Sequence, residues 1–490
     1  MPMRYRAVFK ALGFLLVIFS LSFALPVAAG LWFGESAGSL LQSYILPAFL
    51  SGVAGLMLVL FNREEEGLRD RDAFLTVAMA WLLISVLGAA PFMLSGTIRD
   101  FPGALFESTS GFTTTGASVI PDLENASLVP RSILMWRALT QLMGGMGIIV
   151  LSMVVLSRVV GGSTQLFRAE SSVHRTIRMR PTIRQIALTL WAIYLGFTAL
   201  EILLLWLAGM GPFDAVCHSF TTLATGGFST RNAGIAAYNA VPAIGTIVTV
   251  FMFLGGMNFV LHFQWMTGKL RSLRREPEFI LYMLILTGAC VVVFAALALQ
   301  GGAHDLRESA GHAVFQVVSV MTTTGFSTAD FAAWPSTAQL VLLVLMLVGG
   351  CSGSTAGGMK VVRFVLLAKM LRREIQRVIH PRAIMPITLG GRSVSQEVQS
   401  NVVSFFFIYL AIFCLLALLL SFLDMTLTEA FSSAASALGN IGPALGTYGP
   451  FSNFSALHPA GKVLMALAMW IGRLEVYPAL LMLSPEAYRR

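Results

Sequence analysis

One short motif occurs four times in this chain, and that recurrence limits the fold more than any other feature. Thr113-Thr114-Thr115-Gly116-Ala117-Ser118, Ala224-Thr225-Gly226-Gly227-Phe228-Ser229, Thr322-Thr323-Thr324-Gly325-Phe326-Ser327 and Gly439-Asn440-Ile441-Gly442-Pro443 align on Gly116, Gly227, Gly325 and Gly442. An Ala stands twelve residues before each Gly (Ala104, Ala215, Ala313, Ala430), which selects Gly227 over Gly226 as the equivalent position. Between Ala and Gly lies a mostly apolar run, long enough for about three helical turns. The predicted unit is a short helix followed by an extended loop ending at Gly, repeated at intervals of 111, 98 and 117 residues. Self-similarity of this kind sets the organisation of a whole chain.

Composition places these units in a bilayer. The chain is 56% hydrophobic and 12% charged, with mean hydropathy +0.77, far from soluble-protein averages. Residues 11–33 read as a first span, with Pro26 a tolerated kink, and 36–61 as a second. A second span following directly argues against a cleaved signal peptide. Four repeats follow, each a span, a short re-entrant helix, a Gly loop and a span. The first uses 73–96, 102–113 and 132–157; the second 185–208, 213–224 and 241–264. The third uses 279–303, 311–322 and 337–370; the fourth 400–423, 428–439 and 463–484. The expected fold is an all-α polytopic membrane protein of ten full spans and four half-spans in pseudo-fourfold arrangement. Its parts are an N-terminal two-helix domain with a charged loop (1–72) and pore repeats at 73–184, 185–278, 279–399 and 400–490. The last spans also match one another at Gly144-Gly145-Met146, Gly255-Gly256-Met257, Gly349-Gly350-Cys351 and Ile471-Gly472-Arg473; small residues there permit close helix approach.

With both termini cytoplasmic, cytoplasmic segments hold 26 of the 33 Lys and Arg. The pore-loop side holds Arg99, Arg131, Arg137, Arg231, Arg307 and Lys462, and Arg473 lies inside a span. That is a positive-inside distribution, so the net charge of +9 reflects orientation and nucleic-acid binding is not needed to explain it. On the outer side acids outnumber bases eleven to six, among them Asp100, Glu107, Asp122, Asp305, Glu308 and Asp330. A negative vestibule would concentrate cations, although most of these carboxylates read individually as solvated loop groups or helix-start charges. The basic segments 158–184 and 360–399 could dock an acidic partner or anionic lipid, or simply follow the positive-inside rule.

Non-helical backbone at membrane depth persists only when buried in protein or lining a watery cavity. Four equivalent loops therefore suggest an axis ringed by backbone carbonyls that replace the hydration shell of a monovalent cation. The candidate cation-binding residues are Thr114, Thr115 and Gly116; Thr225, Gly226 and Gly227; Thr323, Thr324 and Gly325; and Asn440, Ile441 and Gly442. Gly permits the dihedrals that turn carbonyls inward. The re-entrant helices would aim their partly negative C-termini at the same axis.

On these motifs the chain resembles, along its whole length, the membrane subunit of the Trk/Ktr/HKT potassium transporter superfamily. The extra N-terminal helix pair makes it most similar to the Trk branch. The resemblance implies channel-like potassium uptake across the cytoplasmic (inner) membrane, with K+ bound in the filter. It also implies a homodimer with one pore per protomer, and a cytosolic ring of nucleotide-binding RCK subunits. Relatives with Ser at the first filter Gly tend to pass sodium, so Gly116 implies preference for potassium. Asn440 and Ile441 depart from the Thr-Thr pattern, as fourth repeats of this family commonly do.

The run Gly349-Gly350-Cys351-Ser352-Gly353-Ser354-Thr355-Ala356-Gly357-Gly358 is too rich in Gly and Ser for stable helix, and predicts a broken span of the kind that lines transport paths. In the family this loop lies under the filter and acts as a gate, which makes Gly349, Gly350, Ser352, Gly353, Ser354, Gly357 and Gly358 candidate gating residues. Arg473 joins them: an intramembrane Arg needs a partner, and it would raise a barrier to cations, pair with Glu475, or bind carbonyls of the gate loop. Glu201 stands alone in a span and is the one obvious titratable group for a proton- or sodium-coupled transporter on the same scaffold. The histidines and the four cysteines show no metal-ligand spacing. An intramembrane enzyme is disfavoured because no acid–base or metal constellation accompanies the loops.

Overall fold

The computed structural model describes residues 5–62, 70–159, 183–268, 276–300, 306–383 and 385–484. Most of the basic segment 158–184, most of the charged loop 63–72, and Asp305 lie outside the described residues.

The N-terminal pair shows how proline writes local structure. The first span runs from Tyr5, earlier than the sequence suggests, and is interrupted at Phe23 between helices Tyr5–Ser22 and Ala24–Trp32. Pro26 has no N–H for the Ser22 carbonyl and its ring crowds that oxygen, so the break falls between them. The second span contains a π-helical turn, Leu41–Ile45, immediately before Pro47 and the helix Leu46–Phe61. Gly13 and Gly55 bring the two spans into backbone contact: a Cβ on either would lie 2.7 Å from the other's carbonyl oxygen.

Four repeats follow on one plan. Their leading spans are Asp70–Gly88 (continued by Ala90–Leu94), Ile183–Leu207, Pro277–Gln300 and Gln396–Ser421. Their pore helices are Phe101–Phe112, Pro212–Leu223, Leu306–Met321 and Leu427–Gly439. Their trailing helices are Arg131–Val159, Pro242–Gly256, Ser336–Leu347 and Pro459–Arg473. Capping fixes where pore helices start: Asp100 accepts from Gly103 N–H, and Thr426 with Glu429 forms a capping box. Ala104, Ala215, Ala313 and Ala430 are all completely buried. Each trailing helix packs on its own pore helix or loop and on the pore helix of the next repeat, and the trailing helix of repeat four packs on the pore helix of repeat one. That order closes a ring. The N-terminal pair sits outside it, against repeat one.

Ten continuous spans are not what forms. Among the trailing segments only that of repeat one is a single long helix. Pro242–Gly256 bends by 103° into Phe259–Met266. Ser336–Leu347 gives way to loop 348–360 and then to Val361–Ile379, where the Gly/Ser run predicted a break. Pro459–Arg473 is followed by Glu475 and Val476 at φ +57° and +67° and then by Tyr477–Leu483. Helices of 12 to 15 residues cover only about 18–22 Å, short of the roughly 30 Å hydrocarbon core. The repeated small residues lie where these helices press on pore helices. A Cβ on Gly144 would fall 2.1 Å from the Phe112 carbonyl oxygen, and one on Gly472 2.0 Å from that of Leu438.

Candidate ion pathway

The four loops share one backbone conformation. Thr114, Thr225, Thr323 and Asn440 have φ between +51° and +57°, and Gly116, Gly227, Gly325 and Gly442 have φ between +76° and +111°. The residue between each pair does not. Asn tolerates the left-handed region and a β-branched residue does not, so Asn440 relaxes a position that the three threonines hold under strain. Such strain costs on the order of 1–3 kcal/mol per residue and survives only where the surroundings impose it.

Here the neighbouring loop imposes it. A Cβ on Gly116 would lie 2.0 Å from the Gly226 carbonyl oxygen, on Gly227 1.9 Å from that of Thr324, on Gly325 1.8 Å from that of Ile441, and on Gly442 2.7 Å from that of Thr115. Each Gly therefore seats the carbonyl of the following repeat, and the fourth seats that of the first. Eight of the twelve residues expected at the cation site make these contacts, and the other four, Thr114, Thr225, Thr323 and Asn440, directly precede them in the same loops. The four glycines open onto one vestibule of ≈ 90 Å³.

The loops are also tied back to their own helices. Thr115, Gly226, Thr324 and Ile441 donate their N–H groups to the carbonyls of Ser110, Thr221, Ser319 and Ser436, at 2.8 to 3.0 Å. Ser110 and Ser319 hydroxyls donate in turn to the Ala117 and Phe326 carbonyls, both at 2.6 Å.

Below the ring lies the loop 348–360. Gly357 N–H donates to Thr323 Oγ1 at 2.7 Å, and Thr355 Oγ1 donates to the Leu223 carbonyl at the end of a pore helix (2.9 Å). Cys351 and Thr355 N–H groups reach the carbonyls of Gly256 and Gly255, and Phe259 N–H reaches that of Gly353. At the neck, Gly349 N–H bonds to Met359 O and Val361 N–H to Gly350 O. Ser354 Oγ turns back to Cys351 O, and Gly353 and Gly358 take positive φ. The loop is thus compact and held by its own internal bonds. Arg473 binds it, donating to the Thr355 carbonyl (2.7 Å) and to Gly144 O (3.2 Å). Of the roles open to Arg473, the geometry gives carbonyl binding. Glu475 is taken by Arg363 at 2.5 Å, whose guanidinium also covers the Phe405 ring.

A family model described as TrkH, cation transport protein, matches residues 48–488. The chain belongs to the TrkH cation transport protein family. The Trk system potassium uptake protein TrkH of Escherichia coli (strain K12) is 38% identical over 498 residues, which covers 99% of this chain and 100% of that one. The Trk system potassium uptake protein TrkI of Halomonas elongata is 33% identical, covering 99% and 98%. The crystal structure of the potassium transporter TrkH from Vibrio parahaemolyticus superposes with a TM-score of 0.90 at 35% identity, covering 99% of this chain and all of that one. The resemblance to the Trk branch is borne out, and the family is one of cation transport proteins rather than enzymes.

In this TrkH-family chain the described outer acids are placed away from the mouth of the ring. Among the described residues no carboxylate lines the vestibule; Arg137 and Arg231 do. Glu107 is fully buried, accepting from Arg137 Nε (2.8 Å), Ser118 Oγ and Val119 N–H. Asp100 and Asp330 cap helix starts, and Glu308 faces His312. Asp122 accepts from Asn232 Nδ2 (2.7 Å), joining the outer loops of repeats one and two. That bond and the Glu124 N–H hold its carboxyl below the usual carboxylate range.

Sequence reasoning missed two columns of the repeat. Six residues before each Gly stands a hydroxyl: Ser110, Thr221, Ser319, Ser436. Nine before stands a polar side chain, Glu107, His218, Gln316 or Ser433, and the first three reach the chain just after the loop Gly. Aligning the copies further upstream would have revealed both. Glu278 gave no such signal. It is buried in the first turn of the third leading span, and its Oε1 accepts from Ser352 N–H (2.6 Å) and Val362 N–H (3.1 Å).

Proposed function

We propose that this chain is the ion-translocating subunit of a potassium uptake system, conducting K+ through the ring formed at Gly116, Gly227, Gly325 and Gly442. The observation that carries the reading is the cyclic seating of each glycine against the next loop's carbonyl. It fixes four carbonyl-bearing loops at one level with no side chain between them, the arrangement that replaces a monovalent ion's hydration shell. Pore-helix C-termini directed at the ring favour a cation there.

Loop 348–360 is the gate. It occupies the path immediately under the filter, held by hydrogen bonds to filter, pore-helix and trailing-helix groups and by the cation of Arg473. Opening requires those bonds to be exchanged. The names of the relatives describe a multi-component system, and the signal for opening comes from a cytosolic nucleotide-binding RCK-type subunit. The protein sits in the inner membrane with both termini cytoplasmic, as a homodimer with one pore per protomer.

The test is cation flux into proteoliposomes holding this chain, with and without the regulatory subunit. Rubidium uptake, weakly competed by sodium, with sodium permeation raised by Gly116→Ser, supports the reading. Absence of flux from folded protein under both conditions overturns it. A coupled transporter remains a second reading because Glu201 is fully buried beside Thr222 of a pore helix without a hydrogen bond of normal geometry. Loss of pH-gradient-dependent uptake in Glu201→Gln would favour it.

A further inference from the structure

Loop 348–360 joins two helices that must not drift if it is to stay under the filter. The helix after it, Val361–Ile379, begins without a capping side chain of its own: Lys360 occupies the N-cap position and makes no side-chain cap bond. An uncapped, buried helix start is unfavourable because its first N–H groups lack partners. Val362 N–H finds one in trans, in Glu278 Oε1. The same oxygen accepts Ser352 N–H, ten residues earlier and on the other side of the neck. One carboxylate therefore spans both ends of the loop, at the base of a different helix.

We infer that Glu278 is a positioning residue for the gate, a latch that fixes loop 348–360 by capping the following helix and binding the loop's entry with a single oxygen. This rests on the reading of the loop as a gate. The physics favours a carboxylate here. It accepts one N–H at the positive end of a helix and a second from the entry of the loop, and a buried N–H left without an acceptor is costly. Lys360, at the N-cap position between the two bonded segments, gives its ammonium to the Ala356 carbonyl within the loop. Glu278 holds the loop at Ser352 and Val362 rather than at Gly357, which carries the bond to Thr323, so its loss is expected to loosen the loop while leaving that bond's partners in place.

The experiment is rubidium flux through proteoliposomes of the full chain without a regulatory subunit, comparing wild type, Glu278→Ala, Glu278→Asp and Glu278→Gln. Glu278→Ala is expected to raise flux about tenfold, the change from removing roughly 1.4 kcal/mol of restraint on the closed loop, with rubidium-to-sodium preference unchanged. Glu278→Asp, one methylene shorter and able to reach one N–H, raises flux in the same direction and serves if the Ala variant does not fold. Glu278→Gln keeps an acceptor oxygen and stays much closer to wild type than Ala. Unchanged flux in the folded Ala and Asp variants overturns the inference. So does a Gln variant as leaky as Ala, or a rise accompanied by lost ion preference. Wild type and Gly116→Ser silent even with the regulatory subunit would instead refute the pore itself, so the two failures are distinct.

Discussion

Gly325→Ala isolates what the ring geometry does. The new methyl would sit 1.8 Å from the Ile441 carbonyl oxygen, about 1.6 Å inside ordinary contact at 3.4 Å. Both partners are backbone, so no rotamer change relieves the clash. Separating them costs on the order of 1–3 kcal/mol, as overpacking does. The φ of +81° adds about 1–2 kcal/mol for an L side chain. The smaller second term can be measured alone. Gly96 has φ +78° with nothing within 4 Å of a built Cβ, so Gly96→Ala bears the backbone strain and not the clash. In proteoliposomes, Gly325→Ala should lower rubidium flux at least tenfold or collapse its preference over sodium, while Gly96→Ala transports like wild type. Folded Gly325→Ala with wild-type flux and preference refutes the reasoning, as does an equal loss in Gly96→Ala.

Replacing Arg473 by Met frees the Thr355 and Gly144 carbonyls, each losing a charged bond worth about 1.5–3 kcal/mol, and should raise flux without the regulatory subunit; unchanged flux would show that the bonds do not restrain the loop. The buried pair Arg137–Glu107 fastens the first Gly loop, and Arg137→Met leaves Glu107 uncompensated, so thermal unfolding should show a loss of about 3–5 kcal/mol, partly recovered by adding Glu107→Gln. Just before the third leading span, burial and the neighbouring Glu278 raise the Glu276 carboxyl to about 7. The folded state then holds a proton that the unfolded chain releases near the ordinary value, so wild type should lose stability relative to Glu276→Gln as pH rises toward about 7 and stay level above it. A difference independent of pH would contradict that assignment.

The repeat, its register and the broken third trailing segment were legible because glycine and small residues mark backbone requirements directly. Ala104, Ala215, Ala313 and Ala430 set the register correctly because they fill one crowded, fully buried position per repeat. The breaks in repeats two and four were not legible. Met257-Asn258 and Leu474-Glu475-Val476 contain no proline, and the chain turns there because Asn258 caps Val260 N–H and because Arg363 holds Glu475. Arg473 stood out as a charge in an apolar run, but its partners, separated by 118 and 329 residues, exist only in the fold. Glu278 is the extreme case. It reads as an ordinary acidic first-turn residue, and its bonds to residues 74 and 84 positions away depend on the loop being folded back.

The central claim is that four carbonyls on one ring hold the transported ion. The direct measurement is anomalous diffraction from crystals grown in rubidium. The account predicts density on the axis within the ring of Thr115, Gly226, Thr324 and Ile441 carbonyls, weakened when sodium replaces rubidium. Folded, rubidium-loaded crystals with ion density elsewhere and none in the ring would contradict it.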